Sequence, residues 1–352
     1  LTVTLAAASV AATDITGIDS KTGTAVVADN VTTITGSVSE ALAVVTAHGN
    51  NTVNMGDDNT AYTISGTQTA TGTVANVTTI GNDTSGTVTA AIGSLSAADI
   101  NTNLGTASGD AITIETTSTT TTATVLNALD GKTSVAVDAD AITAITGGLA
   151  AGATMAGSSG LTLKSDYTFG ATDAATTTGL VGNVATIAAD TAGTVTASIN
   201  AGGSLTAAQI NSNLSTGSST DALTVTLAAG TVAATDITGI DSKTATAVNT
   251  DAVTLITGTI SETLAVETAH AANTVDTGDA DTAYTISGTQ TATGTVGNIT
   301  TIAAATSGTV TASIGSLSAA DINTNLTSAS DDAITITTDS TTTTSTILNA
   351  LD

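Results

Sequence analysis

The sequence predicts a β-rich repeat protein, a β-helix-like solenoid with short helices in each unit, on three observations. Positions recur at a step of 111 residues: Lys21, Lys132 and Lys243; Asp29, Asp140 and Asp251; Ile34, Ile145 and Ile256. Recurrence at a fixed step marks units that bury a shared core by stacking. Strand signals are short and β-branched, at residues 1–5, 24–27, 62–65, 74–80, 87–92, 111–115 and 134–137. The chain has no Pro, so no ladder hydrogen bond is lost to it, and its small Ala, Val and Ile side chains suit strands stacked closely. The alternative is a string of β-sandwich domains, whose size of about 110 residues matches the step. Recurrent helix signals and the lack of aromatic anchors weigh against it.

The step divides the chain into the end of a preceding unit (1–20), unit one (21–131), a divergent unit two (132–242) and unit three (243–352). Units one and three are near copies. VAATDITGIDSKT stands at 10–22 and 232–244, TAYTISGTQTATGTV at 60–74 and 282–296, and GSLSAADINTNL at 93–104 and 315–326. In unit two Tyr167 falls short of the position that Tyr62 predicts, yet Ala222 is back in step with Ala111. Length is thus held while loops vary. Residues 1–19 share their phase with 334–352, and neither end shows a polar capping unit, so the chain reads as a fragment of a longer array.

Helix starts are well marked. Ser96 with Asp99 makes a capping-box-like start, with Leu95 placed to staple onto Ile100. Ile100 and Leu104 fall on one face. The pattern returns as Thr206 with Gln209 and as Ser318 with Asp321. Ser37 with Glu40 and Thr259 with Glu262 open a second helix. A third is expected at 121–129, with Gly131 at its C′ position. One strand alternates visibly: Val88, Ala90 and Ile92 on one face, Thr87, Thr89 and Ala91 on the other.

Composition excludes several classes of function. Thirty acidic residues face four basic ones, all Lys, for a net charge of −26. Such a surface repels a phosphate backbone, and anionic membranes by the same argument. It favours solubility and fits a saline, cation-rich exterior where salt screens self-repulsion. There is no Cys, hence neither disulfide nor thiolate metal site. No apolar run approaches the ~18 residues that span a bilayer.

The best chemical candidate is an acidic, Gly-containing loop: Asp276, Asp279 and Asp281 in unit three, Asp57 and Asp58 in unit one. Its crowded oxygens could hold Ca²⁺, although neither EF-hand spacing nor a glycine-rich nonapeptide repeat is present. A solvated turn explains the same residues, and unit two lacks the cluster. Lys21, Lys132 and Lys243 each follow Asp-Ser or Asp-Gly. They read as cations offsetting a helix C-terminus beside an acid, the commoner arrangement, or as donors of an intramolecular crosslink to an Asn or Asp. His48 and His270 have no second His nearby for a metal and read as helix-ending residues. Thr runs at 116–122 and 341–344, and Asn-x-Thr triplets at Asn76 and Asn298, carry little weight where Thr is so abundant. There is no Cys nucleophile, no Arg and no Gly-x-Ser-x-Gly elbow, and a unique active site sits awkwardly on near-identical copies; no enzyme is expected.

Segments such as SLSAADINTNL, TSGTVTASIGSL and DAITAITGGLA resemble the repeats of very large bacterial cell-surface proteins, the giant repetitive surface protein type of swimming marine picocyanobacteria. The resemblance covers essentially the whole chain and rests on composition and repeat style. It implies secretion, display at the cell surface, and a part in motility, attachment or protection. The expected function is therefore a non-enzymatic structural protein of an extracellular fibre or surface layer, self-assembling by stacking of repeats. The alternative is a Ca²⁺-dependent adhesin that binds surfaces or glycans.

Overall fold

The computed structural model describes residues 1–56, 59–105, 109–202, 205–278, 281–327 and 331–351. It shows an α/β fold in which four sheets, two of them seven-stranded, alternate along the chain with helices. This corrects both architectures expected from the sequence. A β-sandwich rests on antiparallel strands, whereas the strand pairs here run parallel. The solenoid reading treated helices as punctuation between coil walls. Here they are the crossovers that parallel pairing demands, and they form their own layer. The repeat architecture is corrected too: contacts divide the chain into two compact units, Leu1–Gly170 with Asp190–Gly193, and Ala171–Ala189 with Thr194–Asp352. The sequence boundaries at 131/132 and 242/243 fall inside these units.

In the first unit seven parallel strands lie side by side in chain order: Ser9–Ala11, Thr33–Gly36, Ala61–Gln68, Val88–Leu95, Ala111–Thr116, Val137–Ala139 and Leu161–Leu163. Alternation sets which face is buried. Val88, Ala90 and Ile92 point into the core, and Thr89 points out. The outward face carries a threonine row, with Thr35, Thr63 and Thr89 in direct register. In the second unit Gly230–Ala233, Val253–Gly258, Ala283–Gln290, Val310–Leu317 and Ala333–Thr338 form one parallel sheet, with Thr257, Thr285 and Thr311 in register. Val195–Asn200, Ala222–Thr226, Val248–Asn249 and Val275–Asp276 pair in parallel in a separate sheet.

Residues 74–80 are one strand signal that the structure overturns. Their β-branched side chains suggest a strand, but they lie in the helix Thr71–Asp83. Val74, Val77 and Ile80 recur every third position, so all three reach one side and are fully buried. Val181, Val184 and Ile187 do the same in Thr178–Asp190, as do Val296, Ile299 and Ile302 in Thr293–Ala305. Burying each such side chain contributes about 1.5–3 kcal/mol, enough to override a weak helix propensity.

The caps form where the sequence placed them. Ser37 and Thr259 make full capping boxes with Glu40 and Glu262, Thr206 with Gln209, and the Ser96 and Ser318 hydroxyls accept from the Asp99 and Asp321 amides. The third helix runs Ala123–Asp130 from the N-cap Thr122; Gly131 follows it in a right-handed conformation, not the left-handed C′ one. The left-handed position is taken instead by Asn51 and Asn273, just past the helices Val38–Gly49 and Ile260–Ala271. Aromatic anchors are present after all: Tyr62, Tyr167, Tyr284 and Phe169 are the largest fully buried side chains.

A Thr-x-Gly turn leads into three strands. Thr84 donates to Thr60 O (2.6 Å), Thr191 to Tyr167 O (2.5 Å) and Thr306 to Thr282 O (2.7 Å). Each hydroxyl accepts the amide of the glycine two residues on, at 2.8–2.9 Å. Those glycines pass against the neighbouring backbone: a Cβ on Gly86 would lie 2.6 Å from Thr60 O, and one on Gly308 2.6 Å from Thr282 O. Gly86→Ala should therefore destabilise the chain by about 2 kcal/mol or more. Gly182→Ala, mid-helix with open space around its Cα, should stabilise it by about 0.5–1 kcal/mol. Urea denaturation of both variants checks the contrast.

Candidate functional site

Of the predicted Ca²⁺ ligands, Asp57, Asp58 and Asp279 lie outside the described residues. Asp276 and Asp281 are both exposed. Asp276 Oδ1 accepts the Gly278 amide at 3.2 Å, and its carbonyl accepts Thr250 N at 2.7 Å. Among the described residues no three His, Asp or Glu side chains gather closely enough to hold a metal ion.

The polar residues that the fold does bring together recur at the sequence step and hold backbone. Asp110, Asp221 and Asp332 each accept the first amide of a neighbouring strand, from Val88, Val195 and Val310, at 2.9 Å. Asp221 also accepts Ser218 N at 2.9 Å and is 3% exposed. Thr133 and Thr244 imitate a strand residue. Each hydroxyl accepts the amide of Ile112 or Leu223 at 3.0 Å and donates to the same residue's carbonyl, at 2.7 and 2.8 Å. The 111-residue spacing of the three Asp is the sequence signal of this shared role.

The second group is built on the tyrosines. In the first unit Tyr167 donates to Asp190 Oδ2 at 2.8 Å. Burial first, and then the bond to Asp190, push its hydroxyl far above the usual tyrosine range. In the second unit Tyr284 donates to Glu267, itself only 8% exposed, with the same two causes and the same direction. Tyr62 is raised by burial first and then by the charge of Asp83, but its buried hydroxyl has no hydrogen-bond partner. Tyr62 and Tyr284 are equivalent by twice the step, and their surroundings exchange acids. Val45 stands where the other copy has Glu267, and Asp83 where it has Ala305.

The histidines follow this exchange. Both sit in the last turn of their helices, Val38–Gly49 and Ile260–Ala271. His48 Nδ1 lies 3.2 Å from both oxygens of Asp83. His270 Nδ1 instead meets Thr277 Oγ1 at 3.1 Å and Val275 O at 3.2 Å. With Ala at 305, a shallow groove opens beside the Tyr284–Glu267 pair, lined by Leu264, Glu267, Thr268, His270 and Thr301.

The lysines reach across to the preceding helix. Lys132 donates to Asn101 O in the C-terminal turn of Ala97–Asn103. Lys243 donates to Asn211 O (2.5 Å) and to Asn211 Oδ1 (2.7 Å), in the helix Ala207–Asn213. A cation does offset a helix dipole, but the helix is the neighbour and not the one the lysine follows. Burial holds both ammonium groups below the usual lysine range; for Lys243 the charge of Asp236 opposes this.

No family model, characterised protein or solved structure matches the chain. Among the described residues no helix is long and apolar enough to cross a membrane.

Two predictions follow from the tyrosines. Their folded pKa values lie above the unfolded one of about 10, so the stability they contribute is complete below pH ~10 and drains as pH rises towards the folded values. With no Trp and every Tyr buried, tyrosinate absorbance should grow only together with loss of the far-ultraviolet dichroism of the fold; a separate earlier phase would contradict the packing. Secondly, Tyr284→Phe strands the buried Glu267 and should cost about 1–3 kcal/mol, whereas Tyr62→Phe removes an unpaired hydroxyl and should be neutral or stabilising. Urea midpoints distinguish the two.

Proposed function

We propose that this chain is a non-enzymatic structural component of an extracellular assembly displayed at a bacterial surface, with copies of itself as its partner. The observation that carries this reading is the use made of its recurring polar side chains. Asp110, Asp221 and Asp332, with Thr133 and Thr244, close backbone hydrogen bonds between neighbouring strands. Catalytic carboxylates work by facing a substrate with a proton to move; these face peptide amides of the fold itself. The outward threonine rows and the net charge of −26 support exposure to a saline medium, where salt screens the self-repulsion of like-charged copies. The resemblance of SLSAADINTNL and TSGTVTASIGSL to giant surface proteins supports the same placement.

Sedimentation velocity and negative-stain electron microscopy across a series of NaCl concentrations test the reading. Association that strengthens with salt, together with ordered fibres or sheets, is expected. A monomer at every salt concentration would remove the assembly role.

A further inference from the structure

We propose that Lys243 and Asn211 join covalently through an amide from Nζ to Cγ, with Asp236 as the acid–base group and ammonia as the product released. The inference goes beyond the structural role, since it concerns chemistry inside one compact unit and not contacts between copies.

Two polar groups converge on the Asn211 side chain. Lys243 Nζ stands 2.7 Å from Oδ1, one bond away from the carbonyl carbon it would attack. On the other side of the amide, Nδ2 donates to Asp236 Oδ1 at 3.1 Å. Asp236 lies in the first turn of the helix Ala234–Asp241 and Lys243 just past its end, so one helix presents both groups to the Asn of its neighbour. All three residues are half-buried. Gly239 makes the approach possible, because a Cβ there would sit 2.6 Å from Asn211 Oδ1.

The reaction needs no added oxidant or cofactor. The ammonium first loses a proton to solvent, which its partly buried position favours. The neutral amine attacks Cγ, and a proton from the attacking nitrogen passes by way of Asp236 to Nδ2. The Cγ–Nδ2 bond then breaks. One primary amine and one primary amide become one secondary amide and one ammonia. Holding the reactants in contact supplies the proximity that a solution aminolysis of an amide lacks.

The helix-borne Asp, Gly and Lys recur as Asp14, Gly17 and Lys21, whereas one equivalent position departs from them. Lys132 and Asn101 correspond to Lys243 and Asn211, but Val125 stands where Asp236 is and Ala128 where Gly239 is. There Lys132 donates to the Asn101 backbone carbonyl. Val125 carries no carboxylate with which to pass a proton to the leaving nitrogen.

The test is the intact mass of the 352-residue chain after incubation of the folded protein at mildly alkaline pH, followed by peptide mapping. The expected result is a mass lower by one ammonia and a branched peptide joining residues 211 and 243, formed faster as pH rises. Asp236→Asn and Lys243→Arg should each abolish it, and Lys132→Arg should leave it unchanged. Because the wild-type chain is read directly, a variant that fails to fold does not blur the outcome. An unchanged mass in the folded wild-type chain overturns the proposal. So does ammonia loss that persists in Lys243→Arg, which would mark succinimide formation at an Asn instead.

Discussion

Parallel pairing is the constraint from which the rest of this structure follows. Two adjacent parallel strands cannot be joined by a tight turn, so chain must cross back before the next strand begins. The strands here are short, from two to eight residues, and make few ladder bonds each. The crossovers therefore share in the packing, and their valines and isoleucines supply one wall of the core. Short parallel strands also leave amides at their entry points without a ladder partner, and an unpaired buried amide costs about 1–3 kcal/mol. The recurring Asp and Thr side chains meet that need: Asp110, Asp221 and Asp332 each take the first amide of a strand.

What the sequence made legible was local. Ser37 with Glu40 and Thr259 with Glu262 fix helix starts by a reciprocal pair of bonds that depends on residues three apart, so no tertiary knowledge is needed to find them. The same holds for the face shared by Val88, Ala90 and Ile92. The errors arose where tertiary burial overrides local preference. Thr, Val and Ile at 74–80 favour a strand by shape, yet their threefold spacing lets a helix bury three of them at once. Four aromatics look too sparse to anchor a core, but each is fully buried, because a chain of mostly small side chains leaves room for a few large ones. Partner choice in parallel sheets is non-local as well. A pattern of alternate apolar residues fixes which face is buried and says nothing of whether the neighbouring strand runs parallel or antiparallel.

The candidate sites were legible in part. The lysines drew attention by their step, and the nature of the contact was half-anticipated. What could not be read was that Lys243 reaches a helix 32 residues back in the chain. The Tyr–acid pairs were invisible for the same reason. Tyr284 and Glu267 are 17 residues apart, and only the fold places the hydroxyl under the carboxylate. Once the structure is known, the exchange at 45, 83, 267 and 305 becomes interpretable: one acid is supplied to the neighbourhood of the tyrosine in each copy, from a different helix. In the Glu267 copy the acid satisfies the hydroxyl. In the Asp83 copy it pairs with His48 and leaves the Tyr62 hydroxyl unbonded.

Near-identical sequence copies thus offer an internal comparison. Positions that agree, such as the Asp that takes a strand amide and the Thr-x-Gly turn, answer a demand of the backbone that every copy shares. Positions that disagree are released from that demand, so their side chains are free to do something particular. Val125 and Ala128 against Asp236 and Gly239 is the sharpest case. Replacing Ala by Gly removes a methyl that would collide with the Asn211 amide, and replacing Val by Asp adds a proton carrier beside its nitrogen. Neither change helps a helix by itself: glycine within a helix costs about 1 kcal/mol relative to alanine, and an Asp in place of Val gives up apolar contact. Two locally unfavourable residues on one helix, both directed at the same amide, are coherent as parts of one site, and the same pair recurs as Asp14 and Gly17.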